Sequence, residues 1–322
     1  MKLRDKFPGD FRNRRYNQRR RDNAGQSERG SRNGITFHYP FGIKEEDFNN
    51  SCSSFVLLFT KMKPWMVGAE FPPYGKGKKE VLKRLSKYYE DHVLHSCFIK
   101  SYLSKLHKLY KKAGFESIKA CLDDEKKMII GMGSENSLEN SLALHHIYGF
   151  PYIPATAVKG VLRYIALVEK FGYDPGKLEE MDKELSRLDV MEKNVDETLK
   201  ELARIFGTQR SKGAVVFADA LPDHENLPKF DLDILNPHYS SYYNELYSDG
   251  GNISWDEKYE RENPVPVFFP VVKSGCFVFY YKIVRGDGNI KKQVVKLFES
   301  AFKEGFGAKT RYGYGILSKR SS

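Results

Sequence analysis

No apolar run in this 322-residue chain approaches the roughly 20 residues that a membrane-spanning helix needs. Cysteine is scarce. Cys52, Cys97, Cys121 and Cys276 lie far apart, form no CxxC pair and follow no hydrophobic leader. That spacing gives zinc-finger chemistry no support and leads to an expectation of reduced thiols in a cytoplasmic protein. HExxH and GxSxG are also missing, which removes the usual sequence support for zinc proteolysis and for the common serine-hydrolase scheme. Neither a metal nor a cofactor is expected.

What the chain does have is aromatic bulk and positive charge. Hydrophobic residues make up 40% of it, with 22 Phe, 20 Tyr and 2 Trp, enough for a substantial core. The net charge of +11 is unevenly placed. Residues 1–32 carry eleven Lys/Arg against four Asp/Glu, which is +7, and the other 290 residues carry +4. The stretch Phe11 to Arg21 is arginine-rich and almost free of aliphatic residues, the composition of an arm that stays unfolded until it meets nucleic acid. Its acidic residues and lack of amphipathic period argue against a transit peptide.

Residues 1–34 are therefore read as a basic arm and 35–322 as a single domain. The first strand is expected at 53–60, followed by a basic Pro/Gly-rich loop over 61–78. Apolar residues from Leu82 to Tyr110 then recur on one helical face. A hairpin is expected around Asp123 to Lys126, pairing 118–122 with 128–132. Later come a helix over 155–170, a strand at 214–220 and an irregular stretch over 221–263. A strand pair at 265–284, a helix over 289–304 and a last strand near 314–318 follow. This order reads as an α+β, ferredoxin-like (RRM-like) core with insertions at about 61–154 and 221–263, after its first and second strands.

Two stretches carry the candidate chemistry. In His145 to Arg163, Pro151 and Pro154 hold the approach extended and Thr156 is placed to cap the helix that follows. Val158, Val161, Leu162 and Ile165 form its inward stripe, leaving Lys159 and Arg163 one turn apart at the margin. In Gly305 to Gly315, four glycines surround Lys309, Thr310, Arg311 and Tyr312, backbone that suits the close approach of a phosphate chain. A nucleotide P-loop is excluded, because Ala308 precedes Lys309 and the order runs helix, loop, strand. Adjacent His145 and His146 in extended chain would point opposite ways, and a structural or RNA-contact role suits at least one of them. Asp219, Asp231 and Asp233 are explained as well by turn capping as by nuclease chemistry. Tyr239, Tyr242, Tyr243, Tyr312 and Tyr314 lie among cations and could stack on unpaired bases.

The Tyr-Gly-x-Pro-Tyr-Ile-Pro segment with Lys-Gly-x-x-Arg, and Gly-Phe-Gly-Ala-Lys-Thr-Arg-Tyr-Gly-Tyr-Gly about 140 residues later, resemble the repeat-associated mysterious proteins, or RAMPs, of CRISPR effector complexes. Ile205-Phe206-Gly207, Pro237-His238-Tyr239 and Asn263 to Val267 extend the likeness, which is strongest to the sixth-subunit group of type III-B (Cmr) complexes. The resemblance spans about 53–318. It implies a non-catalytic subunit at the 3′ end of a CRISPR guide RNA, capping a backbone of related RAMP subunits. Its partners would be those subunits, a small helical subunit and, indirectly, target RNA, with no membrane contact. It assigns Lys159, Arg163, Lys309 and Arg311 to guide phosphates, with Thr310, Tyr312, His145, Thr156 and His238 completing the RNA-binding set. Ala155-Thr156 departs from the family's usual Gly-Ser. Alternatives are a metal-independent endoribonuclease acting on guide precursors and a general single-stranded RNA binder driven by the arm.

Overall fold

A computed structural model describes residues 30–32, 35–38, 55–60, 65–66, 75–134, 136, 140–189, 196–236, 239–248, 266–286 and 288–320. Most of the basic arm, most of the 61–78 loop, His238 and Asn263 to Val265 lie outside these. In chain order, β1 (Gly30–Arg32) pairs β2 (Ile35–His38), which pairs β3 (Trp65–Met66) across α1 (Phe55–Thr60). Then come α2 (Gly75–Tyr89), a π turn (Glu90–Leu94) and α3 (Cys97–Lys112). β4 (Glu116–Cys121) and β5 (Lys127–Met128) precede α4 (Ala155–Phe171), α5 (Pro175–Arg187) and α6 (Glu197–Phe206). β6 (Val215–Phe217), β7 (Leu221–Pro222), β8 (Lys229–Leu235) and α7 (Ser240–Ser248) lead to β9 (Val267–Lys273), β10 (Cys276–Ile283), α8 (Gly288–Glu304) and β11 (Ser318–Lys319).

The segment expected as the first strand is helix α1. A five-residue apolar run carries too little periodicity to separate strand from buried helix. Phe55 and Phe59, four apart, bury together against Tyr89 and Phe230. The first strand of the main sheet is instead β4. The order there is β11-β4-β10-β6, every neighbour antiparallel, with β7 beside β10 in line with β6. Helix α4 lies on the connection from β4 to β6, and α8 on that from β10 to β11.

A second sheet, β5-β9-β8, carries the remaining strands. Neither expected hairpin forms. The chain crosses from the main sheet to the second between β4 and β5, and back between β9 and β10. The two crossings touch where Leu122 N–H donates to the Gly275 carbonyl. Part of the stretch expected to be irregular is ordered as β7, β8 and α7. Cys121 and Cys276 face each other across β4 and β10 and form a disulfide, against the expectation of reduced thiols. Strands 155 positions apart bring them together, which no spacing rule reveals.

Both faces of the main sheet are covered. Phe277, Phe279 and Tyr281 alternate onto the face under α4 and α8, where Phe279 meets Phe298 and Phe302. α8 presents Ile290, Val294, Leu297, Phe298, Ala301 and Phe302, all buried, to that layer. The opposite face carries Tyr280, whose ring stacks on Tyr110 of α3 at 4.4 Å. Lys282 from the same face donates to the Ala113 carbonyl at 2.7 Å. α3 therefore occupies part of the sheet surface that an open-faced sheet would offer to bases, and the candidate binding residues lie around the helices and loops.

Candidate nucleic-acid interface

The start of α4 is set by an interruption in a strand. Between β6 and β7 the chain exchanges two backbone hydrogen bonds with Ile153 through Ala220, and this places Asp219 beneath the helix. Ala155 N–H donates to Asp219 Oδ1 at 2.7 Å. Pro154 is the N-cap residue, without a side-chain hydrogen bond, and Thr156 is exposed in the first turn. The cap expected from Thr156 thus comes from Asp219, 64 positions away, which satisfies one of the orphan N–H groups of the helix start. Asp219→Ala is expected to cost about 1–2 kcal/mol, read as a lower urea midpoint at unchanged slope.

The glycine-rich loop is pinned at its base and open at its tip. Phe306 N–H donates to the Gly315 carbonyl, Gly315 N–H to the Lys127 carbonyl and Ala308 N–H to the Ile129 carbonyl, at 2.7–2.9 Å. A Cβ on Gly307 would stand 2.1 Å from the Ile129 carbonyl oxygen, so that glycine serves the protein's own packing and no ligand. At the tip Lys309 is left-handed (φ +58°) and begins a single 3-10 turn, Thr310–Tyr312. Tyr312 is 82% exposed, with the Lys309 ammonium 5.7 Å from its ring centroid. Behind the tip, Tyr314 donates to Asp233 at 2.8 Å, and burial followed by that carboxylate pushes its phenol up to about 12.

Two cavities lie along α4, the first of them reaching Arg311 of this tip. The first, about 590 Å³, is lined by Tyr164, Leu167, Tyr173, Leu178 and Arg311 among others. The second, about 690 Å³, is bounded by Lys159, Ser186, Arg210, Lys212 and Arg285. Arg163 lines both. The turn from Gly207 to Gly213 builds the floor of the second. Thr208 Oγ1 accepts from Arg210 and Ser211 N–H, and a Cβ on Gly213 would stand 2.4 Å from the Ile205 carbonyl oxygen. Among the described residues Lys159, Lys212, Arg285 and Arg311 form no ion pair. Burial and the neighbouring Arg163 charge both hold the Lys159 pKa below its usual value, as happens where cations crowd without a counter-charge.

The RAMP superfamily model matches residues 125–318, more than half of the chain. The chain belongs to the RAMP superfamily. It is 31% identical over 299 residues to the CRISPR system Cmr subunit Cmr6 of Pyrococcus furiosus, covering 81% of each protein. To the Cmr6 subunit of Saccharolobus solfataricus it is 22% identical over 246 residues, covering 74% of this chain and 70% of that one. In fold it is similar to a chain of the type III-B Cmr-beta complex bound to cognate target RNA. The TM-score is 0.53 at 20% identity, over 76% of this chain and 71% of that one.

Within this RAMP domain the expected site residues are used unevenly. Arg163 donates through Nε to Asp182 Oδ1 at 2.6 Å, and through one terminal nitrogen to the Asp182 carbonyl and Ser186 Oγ. It clamps α5 to α4, and Lys159 is left as the open cation of the pair. His145 accepts at Nδ1 from the Ile147 and Tyr148 N–H groups in a tight turn, with Tyr102, Tyr148 and Phe150 around its ring. Burial, then the charge of His146, lowers its pKa, so the turn holds a neutral imidazole. His145 and His146 stack at 5.0 Å, because residues 146–148 turn and do not extend. Asp231 pairs Lys273, and Asp233 pairs Lys127. Arg210, Lys212 and Arg285 escaped the sequence reading. The only signal was two cations bracketed by Gly207 and Gly213, since Arg285 joins them through the fold alone.

Proposed function

We propose that this chain is a guide-RNA-binding subunit of a type III-B CRISPR ribonucleoprotein, seated at the 3′-end side of the guide, and that it cleaves nothing itself. The supporting observation is the row of unpaired cations Lys159, Lys212 and Arg285, joined across Arg163 to the cavity under Arg311 and the glycine-rich tip. Charges in that order suit a phosphate chain along α4, with Tyr312 free to stack on a base. Lys309 and Thr310 flank Arg311 in the loop tip, and exposed Thr156 lies in the first turn of α4; these are assigned to the same guide contact. Among the described residues no histidine lines either cavity, which supports the non-catalytic reading, since activating a ribose 2′-hydroxyl usually calls on one.

In this reading the unit β11-β4-β10-β6, with α4 and α8 on its crossovers, is a ferredoxin-like core whose strands follow the 4-1-3-2 order. Its insertions run from 122 to 154 and from 218 to 275. Related RAMP backbone subunits and a small helical subunit would be its protein neighbours, with target RNA reached only through the guide, in the cytoplasm.

Isolation of the tagged chain from its own cells at mild salt, with sequencing of its RNA and identification of accompanying proteins, tests this. Small RNAs bearing a CRISPR repeat tag, recovered with several related subunits, are the expected result, and the purified chain should leave repeat RNA uncut. A chain recovered alone or with bulk RNA, or one that cuts the repeat, overturns it.

A further inference from the structure

On the face of the main sheet away from α4, three side chains converge that the RNA groove does not use. His107 of α3 and the consecutive pair Asp223-His224 beyond β7 bring one ligand atom each within 4.8 Å of one another. We propose that they form a site for one zinc-like divalent cation, bound by His107 Nδ1, Asp223 Oδ1 and His224 Nδ1.

The surroundings hold each ligand in the form such an ion requires. His107 Nε2 lies 3.1 Å from the Pro222 carbonyl. A carbonyl only accepts, so Nε2 carries the proton and Nδ1 keeps its lone pair. An imidazole N–H held by a backbone carbonyl is the recurrent outer shell of a metal-binding histidine. Asp223 is buried, and Lys119 at 2.5 Å and Asn226 at 3.1 Å both engage its Oδ2, which leaves Oδ1 toward His224. Lys119 also offsets part of the carboxylate charge, so the site is expected to be weaker than one with a free aspartate.

His224 Nδ1 is buried and finds no hydrogen-bond partner among the described residues. It stands 3.4 Å from Asp223 Oδ1. Two ligands on a tetrahedral Zn²⁺ with bonds of about 2.0–2.1 Å are roughly 3.3 Å apart, so this pair already has the spacing of one edge. His107 has to close the remaining gap, and the Tyr280 hydroxyl now hydrogen-bonded to its Nδ1 has to turn aside or become the fourth neighbour. An oxygen- and nitrogen-donor set with no thiolate selects Zn²⁺ or Co²⁺ over soft ions, and its two imidazoles disfavour Mg²⁺ and Ca²⁺. The ion would tie α3 to the loop after β7, a structural role independent of RNA.

The test uses the purified full-length chain, stripped with chelator and titrated with Zn²⁺ against a chromogenic indicator, and separately with Co²⁺ read by visible absorption. One equivalent of Zn²⁺ per chain, a tetrahedral cobalt band and a raised Tm are expected. His224→Ala should weaken binding at least about ten-fold while leaving the metal-free Tm unchanged, because the lost nitrogen has no partner to abandon. His107→Gln should weaken metal binding likewise, with its metal-free Tm lowered by the lost contacts to Pro222 and Tyr280. Absence of stoichiometric metal in folded wild type overturns the proposal, as does zinc that survives both substitutions.

Discussion

Gly315→Ala is expected to lower the unfolding free energy by at least about 3 kcal/mol, against about 1 kcal/mol for Gly313→Ala. Both glycines are left-handed, with φ of +75° and +85°, so both variants carry the strain of a side chain there. They differ in what a Cβ meets. At Gly315 it would stand 2.0 Å from the Phe306 carbonyl oxygen and 2.9 Å from the Phe306 nitrogen, whereas at Gly313 nothing lies within 4 Å. Relief at Gly315 means moving backbone that bonds Phe306 and Lys127, and Phe306 is fully buried against Phe279 and Phe302. Urea unfolding at unchanged slope measures both losses. Equal losses would show that the base of the loop yields, and the pinned-base account would then be dropped.

Joint replacement of Lys159, Lys212, Arg285 and Arg311 by alanine is expected to weaken single-stranded RNA binding by about 10²-fold near physiological salt. Four phosphate contacts at about 0.7 each should also flatten the plot of log affinity against log salt by about 3 units. The loss should be alike for RNAs of different sequence, since phosphates carry no sequence information. Arg163→Ala is left out of the set because it also frees Asp182 and Ser186 and loosens α5. Filter binding of the purified chain across a salt series reads both quantities, and an unchanged slope removes these residues from the interface.

Much of the helical layer was legible. α8 and its buried stripe follow from periodicity, and the prolines before Ala155 mark the start of α4. α2 and α3 lie where apolar residues recur at helical spacing. The strands were harder. A run such as Phe55 to Thr60 fits strand or helix, and the aromatic cluster with Tyr89 and Phe230 decides for helix. β4 was seen as half of a hairpin, because local pattern shows a strand and never its partner. Of the candidate interface, Lys159 and the loop tip were named from motif and charge. Arg163 was found too, but its engagement with Asp182 was invisible, as was the part played by Arg285.

The sequence by itself determined the family motifs, the helix faces and the glycine positions that let the loop turn, since these depend on residues a few places apart. Tertiary structure decided which strands pair, that Asp219 caps α4, that Cys121 meets Cys276, and which cations stand without a carboxylate. Beyond the local β1–β2 pair, these contacts join residues from 19 to 199 positions apart. Such contacts form only once the common core has paid the entropy of closing those loops, so no local pattern records them.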